Sequence, residues 1–520
     1  MHILNKTLVI LIIHLFIVFS CRNSQKDTTN NSEKLPNILL LMGDDHGWNE
    51  VGYYGHPFVK TPVLDDMAAN GLRFDRFYSG HPTCSPTRGS FLTGRHPNRY
   101  GTFTPGWSLR PEEVTIAHIL KNAGYTTAHF GKWHVGPIKR ESPTSPGAMG
   151  FDEWLSHDNF FEMDPMLSRN GGTPEKYEGE GSEVIIDETI KFIQKSLKGD
   201  KPFMAVVWFG SPHEPYSGLP EDMALYENLP DSLANRKVRL TSNETGEQVS
   251  RQLREVLQER YAEITAMDRA IGKLRTFLKD NNIKDNTLVF YCGDNGTCKT
   301  AGHTGSTLRE EKASMYEGGV RVPGIIEWPA VIQKPASTST ISVTSDLMPT
   351  LAKITGQSLP DRPIDGVSLL PLFSDPERQR PEPACFWQFM PAKVFGDDAI
   401  PYIDPTLQEG TTPLAKKMDG KFTRDFKNYK YDTISGSHFS GERSIMQGQY
   451  KLVLEGRSPN DQGFELYDIQ NDPAETKNLA DDYPQQAKEM SDKLRRWQES
   501  VLTSLTGADY IGPLIRPQRR

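Results

Sequence analysis

The chain has 520 residues, 36% hydrophobic and 24% charged, which suits a globular protein with one large domain or two moderate ones. Its net charge is −8 with no long basic run, so nucleic acid is excluded as a partner, because that needs a basic face. Its 37 prolines and 43 glycines point to many turns and shaped loops.

His2 and Lys6 precede an apolar run, Leu8–Phe19, that is too short for a transmembrane span and has signal-peptide proportions. Residues 1–20 therefore read as a signal peptide. Ser20-Cys21 resembles a bacterial lipoprotein processing site, with ordinary signal cleavage as the other reading. The expectation is export to the periplasm or cell surface, with a membrane anchor through a lipid on Cys21. Residues 21–34 are polar, rich in Asn, Ser and Thr, and read as a disordered tether. Export permits disulfides. Of Cys84, Cys292, Cys298 and Cys385, the pair Cys292 and Cys298 is close enough in sequence to bridge, or to stay as two thiols.

Pro36–Met42 is a continuous apolar run, as a buried parallel strand requires, and ends in Asp44-Asp45. Thr61 and Pro62 open a short helix that Gly71 closes. Leu72–Tyr78 reads as one strand, Pro111–Asn122 as a helix and Tyr125–Phe130 as a strand followed by Lys132 and His134. Ser182–Leu197 is a helix. Pro202–Phe209 is a strand leading to His213. Leu219–Glu247 has no period and reads as a long loop or lid. Arg251–Lys279 is a long amphipathic helix, and strand Thr287–Tyr291 ends in Asp294-Asn295. The alternation predicts an α/β domain over residues 35–375, with a large, mainly parallel (mixed) sheet flanked by helices. From residue 376 to 520 the pattern predicts a smaller α+β subdomain with a short antiparallel sheet. Its strands are Ser444–Met446, Lys451–Leu454 and Phe464–Tyr467, the last followed by a turn and a short capped helix, and Pro484–Ser504 is a final helix.

Four strands thus end in polar clusters, where ligands bind in open α/β sheets. Taken singly, each cluster reads as turn residues or a helix cap. Together, Asp44, Asp45, Asp294 and Asn295 offer hard oxygen ligands, which suit Ca²⁺ or Mg²⁺ and not Zn²⁺. Arg88, Lys132, His134, His213 and Lys312 add cations and a proton donor, so the expected substrate is an anion. Cys84 sits in a Pro- and Arg-rich turn before a helix over Pro86–Leu92, where unpaired amides and the helix dipole favour negative charge.

Cys84-Ser85-Pro86-Thr87-Arg88, extended through Gly94, resembles the signature of the type I sulfatases, in the alkaline phosphatase superfamily. The resemblance runs from about Leu35 to Ser504. It includes Asp44–Gly47, Gly131–Gly136, Pro212–Pro215, the turn at Asp294 and the box from Lys312 to Arg321. Glu310-Glu311 before Lys312 departs from the small residues common there. The resemblance implies that a maturation enzyme oxidises Cys84 to formylglycine, whose hydrate attacks sulfur. It also implies that Asp44, Asp45, Cys84, Asp294 and Asn295 hold the metal, preferably Ca²⁺. Arg88 would steady the formylglycine, and Lys132 and Lys312 would clamp sulfate. His213 would protonate the leaving alcohol, and His134 would take the proton that lets sulfate depart. Within the family the chain resembles glycan sulfatases of the galactosamine-6-sulfatase and arylsulfatase A type. The expected substrate is a sulfated carbohydrate met in polysaccharide breakdown. Alternatives are a phosphonate or phosphate ester hydrolase, or an inactive glycan-binding lipoprotein. Trp107, His157, His303 and Trp387 are candidate sugar contacts, with packing the commoner role for the tryptophans.

Overall fold

The computed structural model describes residues 34–242, 245, 247–299, 306–389, 399–413, 425–456 and 463–510. The signal segment, Cys21, the tether up to residue 33, and His303 lie outside the described residues.

The apolar run near the N-terminus forms β1 (Asn37–Gly43), with Ile38 to Met42 fully buried. Each such aliphatic side chain contributes about 1.5–3 kcal/mol by leaving water. Helix α1 (Pro62–Asn70) starts after Thr61 and stops at Gly71, as expected. The single strand expected over Leu72–Tyr78 is instead two, β2 (Leu72–Phe74) and β3 (Phe77–Tyr78), in different sheets. Asp75 between them turns its N–H to Thr338 O (2.9 Å) and its carboxylate to Arg73 Nε (2.8 Å).

The signature helix α2 (Cys84–Thr93) begins two residues earlier than expected. Pro86 is tolerated there because first-turn amides have no intrahelical acceptor to lose. Helix α3 (Ile116–Asn122) starts later than expected, because Thr115 and His118 form a capping box. Strands β4 (Thr126–Lys132), β5 (Glu153–His157), β6 (Met166–Arg169) and β7 (Glu175–Lys176) follow, then α4 (Gly181–Ser196) and β8 (Phe203–Trp208).

The segment expected to be one long loop contains helices Pro220–Ala224 and Asp231–Ala234. It also contains β9 (Lys237–Thr241), paired antiparallel with β10 (Gln248–Gln252). Next come α5 (Leu253–Asp280), β11 (Thr287–Gly293), β12 (Arg321–Val322), β13 (Gly324–Glu327), β14 (Ala336–Thr338), β15 (Ser342–Val343) and α6 (Leu347–Thr355). The C-terminal part holds β16 (Ala384–Trp387), β17 (Arg443–Gln447), β18 (Tyr450–Leu454), β19 (Phe464–Asp468) and α7 (Pro484–Leu505). The capped helix expected after β19 is absent among the described residues; turns held by Asp468 and Asp472 fill that stretch.

The main sheet has ten strands in the order β14-β2-β13-β11-β1-β8-β4-β5-β6-β7. Its centre, β11-β1-β8-β4-β5, is parallel, and antiparallel neighbours make the sheet mixed. Strands β16 to β19 form a separate four-stranded antiparallel sheet. The described residues from Pro36 onward form one compact unit. Gly131, next to the end of β4, has φ +93°, and a Cβ there would lie 1.9 Å from Trp208 O. Only glycine lets β4 pair closely with β8 immediately before Lys132. Among the described residues no helix is long and apolar enough to cross a membrane.

Candidate active site

The four strands that end in polar clusters, β11, β1, β8 and β4, are consecutive neighbours in the sheet. Their carboxyl ends therefore converge. Asp44 N–H donates to Ser211 O (3.0 Å), joining the end of β1 to the loop after β8. Asp45 N–H donates to Asp294 Oδ1 (2.9 Å), and Asp294 N–H to Gly43 O (3.1 Å), joining β1 to β11. Asp45 and His134 both hold positive φ, +60° and +58°, a conformation that costs about 1–3 kcal/mol and is retained where a site demands it.

Helix α2 brings Cys84 in from the side, and all ten of its residues are buried. Thr83, at the N-cap, shares a hydrogen bond between its hydroxyl and His81 Nδ1 (2.9 Å) and forms no side-chain cap, so the first-turn amides of α2 stay uncapped by it. The Cys84 thiol lies 3.4 Å from Lys312 Nζ and 3.9 Å from Asp45 Oδ1. Arg88 Nη2 reaches Asp294 Oδ2 (2.7 Å) and Asp44 Oδ1 (3.3 Å), and Nη1 donates to Lys132 O (3.3 Å). Lys132 Nζ pairs with Asp44 Oδ2 (2.6 Å), and Lys312 Nζ with Asp45 Oδ1 (2.5 Å). Asn295 Nδ2 donates to Asp45 Oδ1 (2.8 Å). His213 Nδ1 lies 2.5 Å from Glu214 O, so Nδ1 carries the proton and Nε2 faces Asp45 Oδ2 at 3.7 Å. Phe160 stacks on the His213 ring at 5.0 Å.

The family profile "Sulfatase" matches residues 36–357. The chain belongs to the sulfatase family. An ulvan-active sulfatase of Formosa agariphila is 31% identical over 370 residues, 70% of either chain. Human N-acetylgalactosamine-6-sulfatase is 30% identical over 381 residues, 65% of either chain. A crystal structure described as Ps i-CgsB in complex with k-i-k-neocarrahexaose superposes with a TM-score of 0.69 at 23% identity, covering 93% of this chain and 99% of that one. The family is one of sulfuric ester hydrolases, and its α/β fold is the one described above.

Three carboxylates, Asp44, Asp45 and Asp294, face three cations, Arg88, Lys132 and Lys312, with almost no solvent between them. Burial alone would raise all three acids. For Asp44 the charges of Lys132, His213 and Arg88 outweigh burial and hold it well below the usual carboxylate range. Asp45 is likewise lowered, chiefly by Lys312 and His213. Asp294 goes the other way, to about 7, because burial and repulsion from Asp44 exceed the pull of Arg88. Burial pushes the Cys84 thiol up to about 12 despite Lys132 and Lys312, so it is no thiolate at neutral pH. Burial lowers His213 to about 4 against the pull of Asp45, and burial, helped by Lys132, holds His134 well below the usual imidazole range.

The ligand atoms of Asp44, Asp45, Cys84 and His213 lie within 4.8 Å of one another. Asn295 Oδ1 is buried without a hydrogen-bond partner, and Asp44 Oδ1 has only its 3.3 Å ion pair with Arg88. These two hard oxygens beside two further carboxylates form a donor set that fits Ca²⁺ or Mg²⁺.

The ten residues expected from the sequence to serve catalysis or hold the metal all fall in this one region. The sugar-contact candidates do not all follow. Trp387 is fully buried, donates to Ser440 O (2.9 Å) and belongs to the core, and Trp107 packs on Phe103 and Tyr429. His157 is buried with Nδ1 bonded to Asn159 N–H (3.0 Å). Cys292 and Cys298 do not form a disulfide, and the Cys298 sulfur lies 3.0 Å from Tyr216 OH. One positioning residue was missed. Arg260, fully buried on α5, donates to Glu50 (2.8 and 2.6 Å), to Asp45 O (2.7 Å) and to Pro212 O, tying the metal-side turn to the His213 loop. Its signal was available: it stands between Leu257 and Ile264 on the apolar stripe of a helix, where a charge needs a partner.

Proposed function

We propose that this chain is an exported, lipid-anchored sulfatase that hydrolyses sulfate esters of a sulfated carbohydrate, with Cys84 matured to formylglycine. The observation that carries it is the Cys84 thiol, buried at the start of α2 among Lys312, Lys132 and Arg88, yet with its proton held up to about 12. As a thiol it is a poor nucleophile in a site built for anion chemistry. The signature around it reads as the substrate of a maturation enzyme.

A formylglycine at position 84 would supply a hydrated aldehyde as nucleophile, and Ca²⁺ on Asp44, Asp45, Asp294 and Asn295 would supply Lewis acidity. The chain's own groups do the rest. The three cations already balance the three carboxylates, so a divalent ion leaves the site with excess positive charge for an anionic ester. Lys132 and Lys312 are placed to hold sulfate oxygens in a water-poor site, where such contacts are strongest. Arg88 fixes the geometry between Asp44, Asp294 and residue 84. His213, with Nδ1 anchored on Glu214 O, presents Nε2 to the site and protonates the leaving alcohol as the substrate's charge offsets its burial. His134 accepts the proton released when sulfate departs. The glycan reading draws on the relatives, one named for ulvan and one for N-acetylgalactosamine 6-sulfate. Export and the lipid on Cys21 rest on the N-terminal sequence.

The deciding test is mass spectrometry of the tryptic peptide Phe77–Arg88 after coexpression with a maturation enzyme. An aldehyde in place of the thiol is expected, with turnover of an aryl sulfate that Cys84→Ala abolishes and that a chelator slows. An unmodified thiol in an active enzyme would overturn the proposal.

A further inference from the structure

A cavity of about 500 Å³ lies between the distal half of α2 and the C-terminal helix α7. None of the ten site residues lines it. Ser90 does, six residues along α2 from Cys84, roughly 9 Å by helix rise.

Its walls carry four cations, Arg99, Arg380, Lys493 and Arg496, against two carboxylates, Asp365 and Glu382. Arg99 is committed to Asp365 through two bonds of 2.7 Å. Arg380 gives both terminal nitrogens to Asp346 (2.6 and 3.0 Å). Its side chain is only 6% exposed, yet its Nε–H has no partner. A buried donor left unmatched costs about 1–3 kcal/mol, which an acceptor in the cavity would recover. Lys493 donates to the neutral amide of Gln447 (2.8 Å), and Arg496 is exposed; neither has a carboxylate partner among the described residues. Trp497, Ile445 and Pro381 add apolar wall.

The geometry points to a second oxyanion site, in which Arg380, Lys493 and Arg496 receive a sulfate or carboxylate group, free or carried on a sugar unit. The volume is that of a small-ligand pocket, enough for a sugar against the Trp497 wall. In a chain of net charge −8, a local excess of cations away from the catalytic centre selects for negative charge. The sugar-borne form rests on the glycan reading above; the oxyanion chemistry does not.

The test uses the full chain with Cys84→Ala to stop turnover, titrated calorimetrically with galacturonate, galactose 6-sulfate and inorganic sulfate in turn. At least one should bind at a site whose affinity falls about tenfold or more in Lys493→Glu/Arg496→Glu, with the milder Arg496→Gln intermediate. In the Cys84-intact protein the double reversal should leave aryl sulfate turnover unchanged. Preference for either sugar over sulfate assigns the saccharide-borne form, and binding of sulfate alone assigns the free anion. If no ligand's affinity depends on positions 493 and 496, the proposal falls. Galacturonate carries no sulfate ester, so its arm stands even where aryl sulfate turnover fails and the sulfatase reading with it.

Discussion

Arg88 joins three parts of the site, Asp294, Asp44 and the Lys132 carbonyl, from a position with no solvent exposure. A planar guanidinium spreads its donors over three nitrogens in a rigid fork, whereas an ammonium offers three donors from one rotatable centre. Arg88→Met should leave Asp44 and Asp294 short of a counter-charge in the interior and cost about 3–5 kcal/mol. Arg88→Lys should recover part of the stability and little of the turnover, because charge returns without the fork. Thermal unfolding paired with aryl sulfate turnover reads both. Lysine restoring both equally would show that Arg88 acts as charge alone.

At the scale of elements, the strand ends were legible because buried parallel strands are continuous apolar runs that stop abruptly at polar clusters. The order of those strands was not. That β11, β1, β8 and β4 are adjacent follows from pairing between residues 77 to 250 positions apart, such as Leu40 with both Val206 and Phe290. The hairpin β9–β10 was missed because Lys237–Thr241 buries only Leu240 fully, too weak an alternation to separate from loop. The attachment of α7 was equally invisible. Asp365 accepts His96 N–H (2.6 Å), two Arg99 nitrogens (2.7 Å each) and Trp497 Nε1 from α7 (2.8 Å). Burial would raise this carboxyl, but Arg99 and the other donors outweigh it and hold it far below the usual range. A carboxyl depressed by folding stabilises the fold above its unfolded pKa, near 4, and that stability is lost as pH falls further. Asp365→Asn should therefore lower the urea midpoint at pH 7 and flatten its decline between about pH 4 and pH 3. Parallel declines in mutant and wild type would show that another group sets the acid limit.

Across the whole molecule, the C-terminal sheet works as a clamp on the loop that carries Lys312. Glu442 accepts Met315 N–H (3.1 Å), Glu465 accepts the Tyr316 hydroxyl (2.5 Å) and Glu475 accepts Glu317 N–H (2.7 Å). Lys451 of β18, fully buried, pairs with Glu317 (3.0 Å) and Glu475 (2.9 Å). The sequence shows the lysine box but not its clamp, since the partners lie more than a hundred residues away and each alone looks like a surface charge. The loop itself bends through positive φ at Glu310 and Ala313, so its shape is imposed by these bonds rather than by local preference. Lys451→Met should leave Glu317 and Glu475 buried without their cation and cost about 3–5 kcal/mol. If the clamp serves Lys312, the folded mutant, assayed well below its unfolding midpoint, should also lose about tenfold or more in kcat/KM, with Lys451→Arg between. A destabilised but fully active Lys451→Met would confine the C-terminal sheet to stability and leave Lys312 positioned by its contacts to Thr297 O, Asp45 and Cys84.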